Sequence, residues 1–166
     1  MGKELEGERI ILHPLEPSLF DCYLAHYSET VQKMLGVKTL EEERNYLQMH
    51  YQKMQEGSVH FFCIFLKEAN ELIGALEIRP ETYRGNFYGW LHENFWSKGL
   101  FQEALHVLIP YYFSKNPSQS SLTAFIDFSN KRSIETFERA GFTKFCKRKG
   151  PREDQWELKY EVIKPY

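Results

Sequence analysis

Three groups of residues have the types and spacing to do chemistry. The first is the turn Trp96-Ser97-Lys98-Gly99-Leu100-Phe101-Gln102, which follows an apparent strand and runs straight into an amphipathic helix. A helix start leaves main-chain N–H groups without partners, and the aligned peptide dipoles add roughly half a unit of positive charge there. Such a turn suits a phosphate, with Gly99 where the chain passes closest and Lys98 as added charge or as an ordinary solvated lysine. The second is Asn130 with Ser133 three residues on, at the start of a later helix, where both read as caps or as ligand contacts. The third is titratable. Glu77 lies in an apolar strand, where burial would raise its pKa, and the alternative is an ion pair with Arg79 on the same strand face. His92, at the end of the next strand, is another possible proton acceptor. Glu93 and Glu103 read as complements to a positive helix end. Glu41-Glu42-Glu43 reads either as an attractor for a cation or as a solvated helix start. The six histidines and three cysteines show no metal-ligand spacing, so no metal is predicted.

The elements that must position these groups follow from periodicity and punctuation. Arg9–Leu15 is a short apolar strand ended by Pro14 and Pro17, and Pro17-Ser18 opens a helix carrying Leu19, Phe20, Tyr23, Leu24 and Tyr27. Thr39 with Glu42 forms a capping box, which starts a second helix over Leu40–Gln55 with Tyr46, Leu47, Met49, Tyr51 and Met54 on a partly buried face, stopped by Gly57. Val59–Leu66 is apolar almost without a break, as expected of a strand covered on both faces. A hairpin leads to Leu72–Arg79, which Pro80 should stop, and Tyr83-Arg84-Gly85-Asn86 turns into Phe87–Leu91. The helix after Gly99 carries Ala104, Leu105, Leu108, Ile109 and Tyr112, and Pro110 should kink or end it. Leu122–Phe128 is a strand, Asn130 to Ala140 a helix, and Phe142–Lys147 with Gln155–Val162 a closing pair. This order of elements predicts an α/β (α+β) fold, a mixed sheet with helices on both faces, in one domain over residues 1–166.

Composition narrows the function. With 42% hydrophobic and 27% charged residues the chain has the make-up of a globular protein, and 13 Phe with 10 Tyr predict a core of flat side chains. Net charge is −2, and the one basic cluster, Lys144–Arg152, is too narrow for a nucleic-acid surface, so no nucleic-acid partner is expected. Cys22, Cys63 and Cys146 are few, distant and odd in number, which fits a reducing cytoplasm, with Cys63 as a core residue. No apolar run reaches the ~20 residues of a membrane span, and the charged N-terminus has neither a signal-peptide core nor, with Glu6, a myristoylation signal. No membrane partner is expected.

Two segments together resemble a known family. Phe125-Ile126-Asp127-Phe128-Ser129-Asn130-Lys131-Arg132-Ser133, continuing to Gly141-Phe142, is similar to the "N, two residues, S, short helix, G-F" pattern of the GNAT acyl-CoA N-acyltransferases. Trp96, Lys98, Gly99, Glu103 and Ala104 resemble the "W-G-K-G-Y-x-x-E-A" segment of the branch that contains the ribosomal-protein N-terminal acetyltransferases, and Arg9–Leu15 resembles that branch's first strand. The resemblance implies a mostly antiparallel sheet of about seven strands, splayed between Phe87–Leu91 and Leu122–Phe128. Acetyl-CoA would lie in the gap, with its pyrophosphate on the N–H groups of Ser97, Lys98, Gly99, Leu100, Phe101 and Gln102. Its carbonyl would be held by an N–H near Leu91 or His92, and its pantetheine arm by Asn130.

Three departures bear on activity. Phe101 replaces a small residue, Phe137 stands where many members have a tyrosine acid, and Asn86 stands where this branch often has a glutamate. Ser133 is then the substitute acid for the leaving thiolate and Glu77 the candidate base. The resemblance implies acetyl transfer to a primary amine, a protein N-terminus or a small molecule, by a monomer or homodimer. The rival reading is a GNAT-shaped module that binds without catalysing. A nucleotide-phosphate site is a third, without a Walker-type sequence to support it.

Overall fold

Two strands that are apolar on both sides dictate the layers. In β3 (His60–Leu66) alternate residues face opposite ways: Phe61 and Cys63 join one core with Tyr23, Leu47 and Trp90, whereas Phe62 and Ile64 join another with Leu105, Leu108 and Ile109. Its neighbour β4 (Glu71–Thr82) divides the same way, Leu72 and Ala75 against Leu76 and Ile78. Such strands need cover on both faces. The helices α1 (Phe20–His26), α2 (Glu29–Met34) and α3 (Leu40–Gln55) supply it on one side, and α4 (Leu100–Lys115) with α5 (Lys131–Arg139) on the other. The computed structural model describes residues 2–36, 39–82 and 85–164.

The remaining strands are β1 (Leu5–Glu6), β2 (Ile10–Pro14), β5 (Gly85–Leu91), β6 (Ser121–Asp127), β7 (Thr143–Lys149) and β8 (Trp156–Ile163). With β3 and β4 they form one eight-stranded sheet in the order β1-β2-β3-β4-β5-β6-β8-β7, and every ladder longer than one residue pair is antiparallel. The weak seam is β5 to β6, which meet at one pair, Gly85 with Ala124. Asn86 stitches that closed end: its Oδ1 accepts from Thr123 N–H (2.8 Å) and its Nδ2 donates to the Arg79 carbonyl (2.9 Å).

Several expectations need correction. Pro80 does not stop β4, which continues to Thr82 through a register shift after Ile78; a residue without an N–H is tolerated at such an irregularity. Of the two outcomes expected at Pro110, a kink or an end, the end does not occur there: α4 runs on to Lys115, with Leu108, Ile109, Tyr112 and Phe113 buried along it. Three α-helices, not two, precede β3; the extra one, α2, is capped by Ser28, whose Oγ accepts from Val31 N–H (3.2 Å). Pro17–Leu19 is a 3-10 turn ahead of α1, and β1 adds an eighth strand at the sheet edge. Met49 points outward, and the buried residues of α3 are Glu43, Leu47 and His50. Tyr83 and Arg84, half of the expected turn, lie outside the described residues.

Candidate functional site

Beyond the Gly85–Ala124 pair the two strands part. A cavity of about 650 Å³ opens between Phe87, Tyr88 and Gly89 of β5 and Phe125, Ile126 and Asp127 of β6. A smaller one of about 190 Å³ lies between the Trp96–Gln102 turn and α5. Met34, Gly89, Phe101 and Ser133 line both, so the two are halves of one cleft.

Main-chain direction follows from the β4–β5 ladder. The His92 N–H donates to the Ile73 carbonyl (2.8 Å), so at that residue the backbone faces β4. Alternation along an antiparallel strand then turns the N–H of Leu91 the other way, to the cleft side. The Leu91 carbonyl is already taken, at 2.7 Å, by the Trp96 indole N–H. His92 is outside the cleft wall; its ring Nδ1 accepts from Asn94 N–H (3.2 Å) and its Nε2 stands 3.7 Å from Glu93.

The turn that leads into α4 is built on two left-handed residues, Ser97 (φ 62°) and Gly99 (φ 74°). Gly99 is the N-cap and offers no side chain, so no cap occupies the first-turn N–H groups of Leu100, Phe101 and Gln102. Ser97, Gly99, Leu100, Phe101 and Gln102 all line the smaller cavity. Lys98 does not; its ammonium sits 5.7 Å from the centre of the Phe95 ring. Phe101 turns inward. Its ring reaches Gly89, where a Cβ would stand 2.9 Å from it, and approaches Phe137 at 6.4 Å between centroids. A glycine at 89 makes that packing possible, and the Phe101 ring becomes cleft wall.

Across the cleft, Asn130 caps α5 by accepting from Ser133 N–H (3.2 Å). Both line the larger cavity, and among the described residues no hydrogen bond engages the Ser133 hydroxyl. Phe137 is core, edge-on to Phe87 and Phe142 at 5.6 and 4.9 Å. Arg132 and Arg139 also wall the smaller cavity, and sequence reasoning gave neither a role. Arg132 lies 3.5 Å over the Trp96 ring, while Arg139 pairs with Glu135 at 2.5 Å.

The far wall of the larger cavity is Tyr46, Tyr88 and Arg79, and behind it are two fully buried carboxylates. Glu77 bonds the His50 ring, accepts from Tyr46 Oη–H (2.5 Å) and stands 3.8 Å from Arg79. Glu43 accepts from Tyr23 (2.8 Å) and Tyr88 (3.0 Å), and Tyr23 in turn accepts from the Trp90 indole N–H (2.8 Å). Burial raises the Tyr46 and Tyr88 phenols far above their ordinary value, and the adjacent carboxylates Glu77 and Glu43 push the same way. Both phenols are therefore donors. Glu43 corrects the reading of Glu41-Glu42-Glu43 as a uniformly solvated start: Glu41 and Glu42 are exposed, Glu43 is not. The usable signal was spacing, since Glu43, Leu47 and His50 share one helix face. Among the described residues no cluster of three His, Cys, Asp or Glu could hold a metal, and no helix is long and apolar enough to cross a membrane.

A sheet splayed at one seam, with an uncapped helix start facing the opening, is the arrangement that the GNAT resemblance implies. The sequence model for the acetyltransferase (GNAT) domain matches residues 9–143, most of the chain. The chain belongs to the GNAT acetyltransferase family. This GNAT domain is 28% identical over 147 residues to a protein described as the uncharacterized N-acetyltransferase p20 of Bacillus licheniformis, covering 84% of this chain and 82% of that one. Among solved structures, the ribosomal-protein-S5-alanine acetyltransferase of Vibrio fischeri superposes with a TM-score of 0.80 at 15% identity, over 98% of this chain and 97% of that one. RimL, a ribosomal L7/L12 alpha-N-protein acetyltransferase solved with coenzyme A, superposes with a TM-score of 0.79 at 17% identity, over 97% and 98%. At these identities the structures establish a shared fold, and the GNAT resemblance expected from the two motifs is correct.

Proposed function

We propose that the protein is an acetyl-CoA-dependent N-acetyltransferase that acetylates a primary amine by direct attack on the thioester. The observation that carries this reading is the coincidence of Ser133, Gly89 and Phe101 on both halves of one cleft, between an uncapped α4 start and the α5 start. The N–H groups of Ser97, Gly99, Leu100, Phe101 and Gln102, all on the smaller cavity, hold the pyrophosphate, with Arg132 and Arg139 supplying positive charge beside it. Asn130 contacts the pantetheine arm, and the Leu91 N–H, aimed at the cleft side, polarises the thioester carbonyl.

Acetyl-CoA supplies the acetyl group as a thioester. The acceptor nitrogen forms the new C–N bond as the C–S bond breaks. Ser133 Oγ–H donates to the departing sulfur and is reprotonated from solvent. The proton lost by the nitrogen goes to Glu77, which the cleft reaches through the Tyr46 hydroxyl: Tyr46 passes on its own proton as it receives the substrate's. The favoured acceptor is a peptide N-terminus, supported by the names of two structural relatives; a small-molecule amine is the alternative.

The test is thiol release with mass-spectrometric detection of acetylated products across peptides with varied N-termini and a panel of small amines. An acetylated product that loses about 100-fold in kcat in Ser133→Ala, at unchanged acetyl-CoA affinity, is the expected result for a lost general acid. Acetyl-CoA binding without thiol release from any amine would instead favour a non-catalytic binding module, which the core position of Phe137 permits.

A further inference from the structure

The turn that carries the cofactor site is held from outside the cleft by one residue pair. Arg9 stands just before β2 and Glu103 lies in the first turn of α4. Glu103 accepts from Arg9 N–H (2.6 Å), Arg9 Nε–H (2.8 Å) and Ile10 N–H (3.3 Å). Arg9 also donates from Nη1 to the Lys98 carbonyl at 2.8 Å. Lys98 is the residue between the two left-handed positions Ser97 and Gly99, and Ser97 bears a side chain that disfavours such a backbone. In a trans peptide the carbonyl and the next N–H point in opposite directions. Anchoring the Lys98 oxygen on Arg9 therefore aims the Gly99 N–H away from Arg9.

We propose that Arg9 and Glu103 form a clasp that sets the phosphate-facing backbone of Ser97–Gly99, so that they are positioning residues for acetyl-CoA. This rests on the reading of the cleft as an acetyl-CoA site. Glu103 thereby has more to do than complement the helix dipole. It ties α4 to the start of β2, and Arg9 spans from that carboxylate to the turn. The guanidinium suits the task because it serves the Glu103 carboxylate and the Lys98 carbonyl with separate N–H groups in fixed geometry. Arg9 is about half exposed, at 48%, and exposed ion pairs contribute little to global stability. Its loss should register in the local backbone and in ligand affinity more than in unfolding.

Arg9→Lys separates the two roles. A lysine keeps the charge beside Glu103 and gives up the second arm to Lys98. Calorimetry with acetyl-CoA should show a dissociation constant about tenfold higher than wild type, as for a lost charge-assisted hydrogen bond, with a melting temperature unchanged without ligand. Amide hydrogen exchange in the variant should speed up at Ser97–Gly99 and stay as in wild type in β3. Glu103→Gln, which removes the charge of the other partner, should show the same pattern. Wild-type affinity in both variants, or exchange faster throughout the molecule, would overturn the clasp. If wild type itself does not bind acetyl-CoA, the functional reading fails first and the clasp with it.

Discussion

The two walls of the cleft are built on different principles. The wall around α4 uses main-chain groups: an uncapped helix start, two left-handed residues and a clasp that bonds to a carbonyl. The opposite wall uses side chains drawn from α1, α3, β4 and β5, with Glu77 and Glu43 wholly buried and bonded to His50 and to tyrosines. A backbone site draws on N–H groups that every residue but proline carries, so it asks less of the side chains in the turn. A side-chain site needs every partner present, because a buried charge stripped of its partners is costly.

That difference can be broken experimentally. The largest expected effect is on the side-chain wall. Glu77→Ala leaves Tyr46 and His50 without their buried acceptor and should cost about 3–5 kcal/mol in urea unfolding. A loss below about 1 kcal/mol would mean the network contributes no more than an ordinary hydrogen bond. Gly99→Ala should cost less, about 1–2 kcal/mol, because only the left-handed backbone at φ 74° resists the new Cβ. Among the described residues, its chain neighbours aside, Arg9 Nη2 at 3.5 Å is the one atom within 4 Å of it. Its main effect should be on acetyl-CoA affinity, and a variant with wild-type affinity would show that the turn tolerates a different conformation.

A smaller effect concerns pH. Burial alone would raise the Glu103 carboxyl, but the N–H groups and guanidinium of Arg9 outweigh it and hold the value below 4.5. A carboxylate depressed on folding contributes stability above its unfolded value and loses it as pH falls through the folded one. In the folded protein Glu103 thus keeps its charge through pH 4.5, and the clasp, with acetyl-CoA affinity, should weaken only as pH falls through that lowered folded value, with Glu103→Gln showing a flatter profile. Least affected should be cysteine reactivity. Burial pushes the Cys63 thiol far up, so a thiol reagent should modify exposed Cys146 first and Cys63 only on unfolding.

The same contrast explains what the sequence disclosed. Gly99, the Thr39–Glu42 capping box and the Asn130 cap are local signals, each set by a few neighbouring residues, and all three appear where expected. The both-faces-apolar pattern of Val59–Leu66 likewise placed a central strand. Glu43 and His50 were hidden because polar residues on a helix read as solvent-facing until a tertiary partner is known, and their partners lie on α1, β4 and β5. Pro80 misled for the opposite reason. Its missing N–H is a local fact, but the register shift that accommodates it depends on β5. Phe101 fell between the two, since its direction follows from the absence of a side chain at Gly89, on a strand that precedes it.

Binding of acetyl-CoA between β5 and β6 is open to a direct check by thermal melting. With acetyl-CoA at about 100 times its dissociation constant, the folded state should gain about 2.7 kcal/mol. For a chain of this size that is a rise in melting temperature of roughly 5–10 °C. ATP at the same concentration should raise it less, since it lacks the pantetheine arm that would fill the gap between the strands. No shift at millimolar acetyl-CoA, or an equal shift with ATP, would contradict the reading.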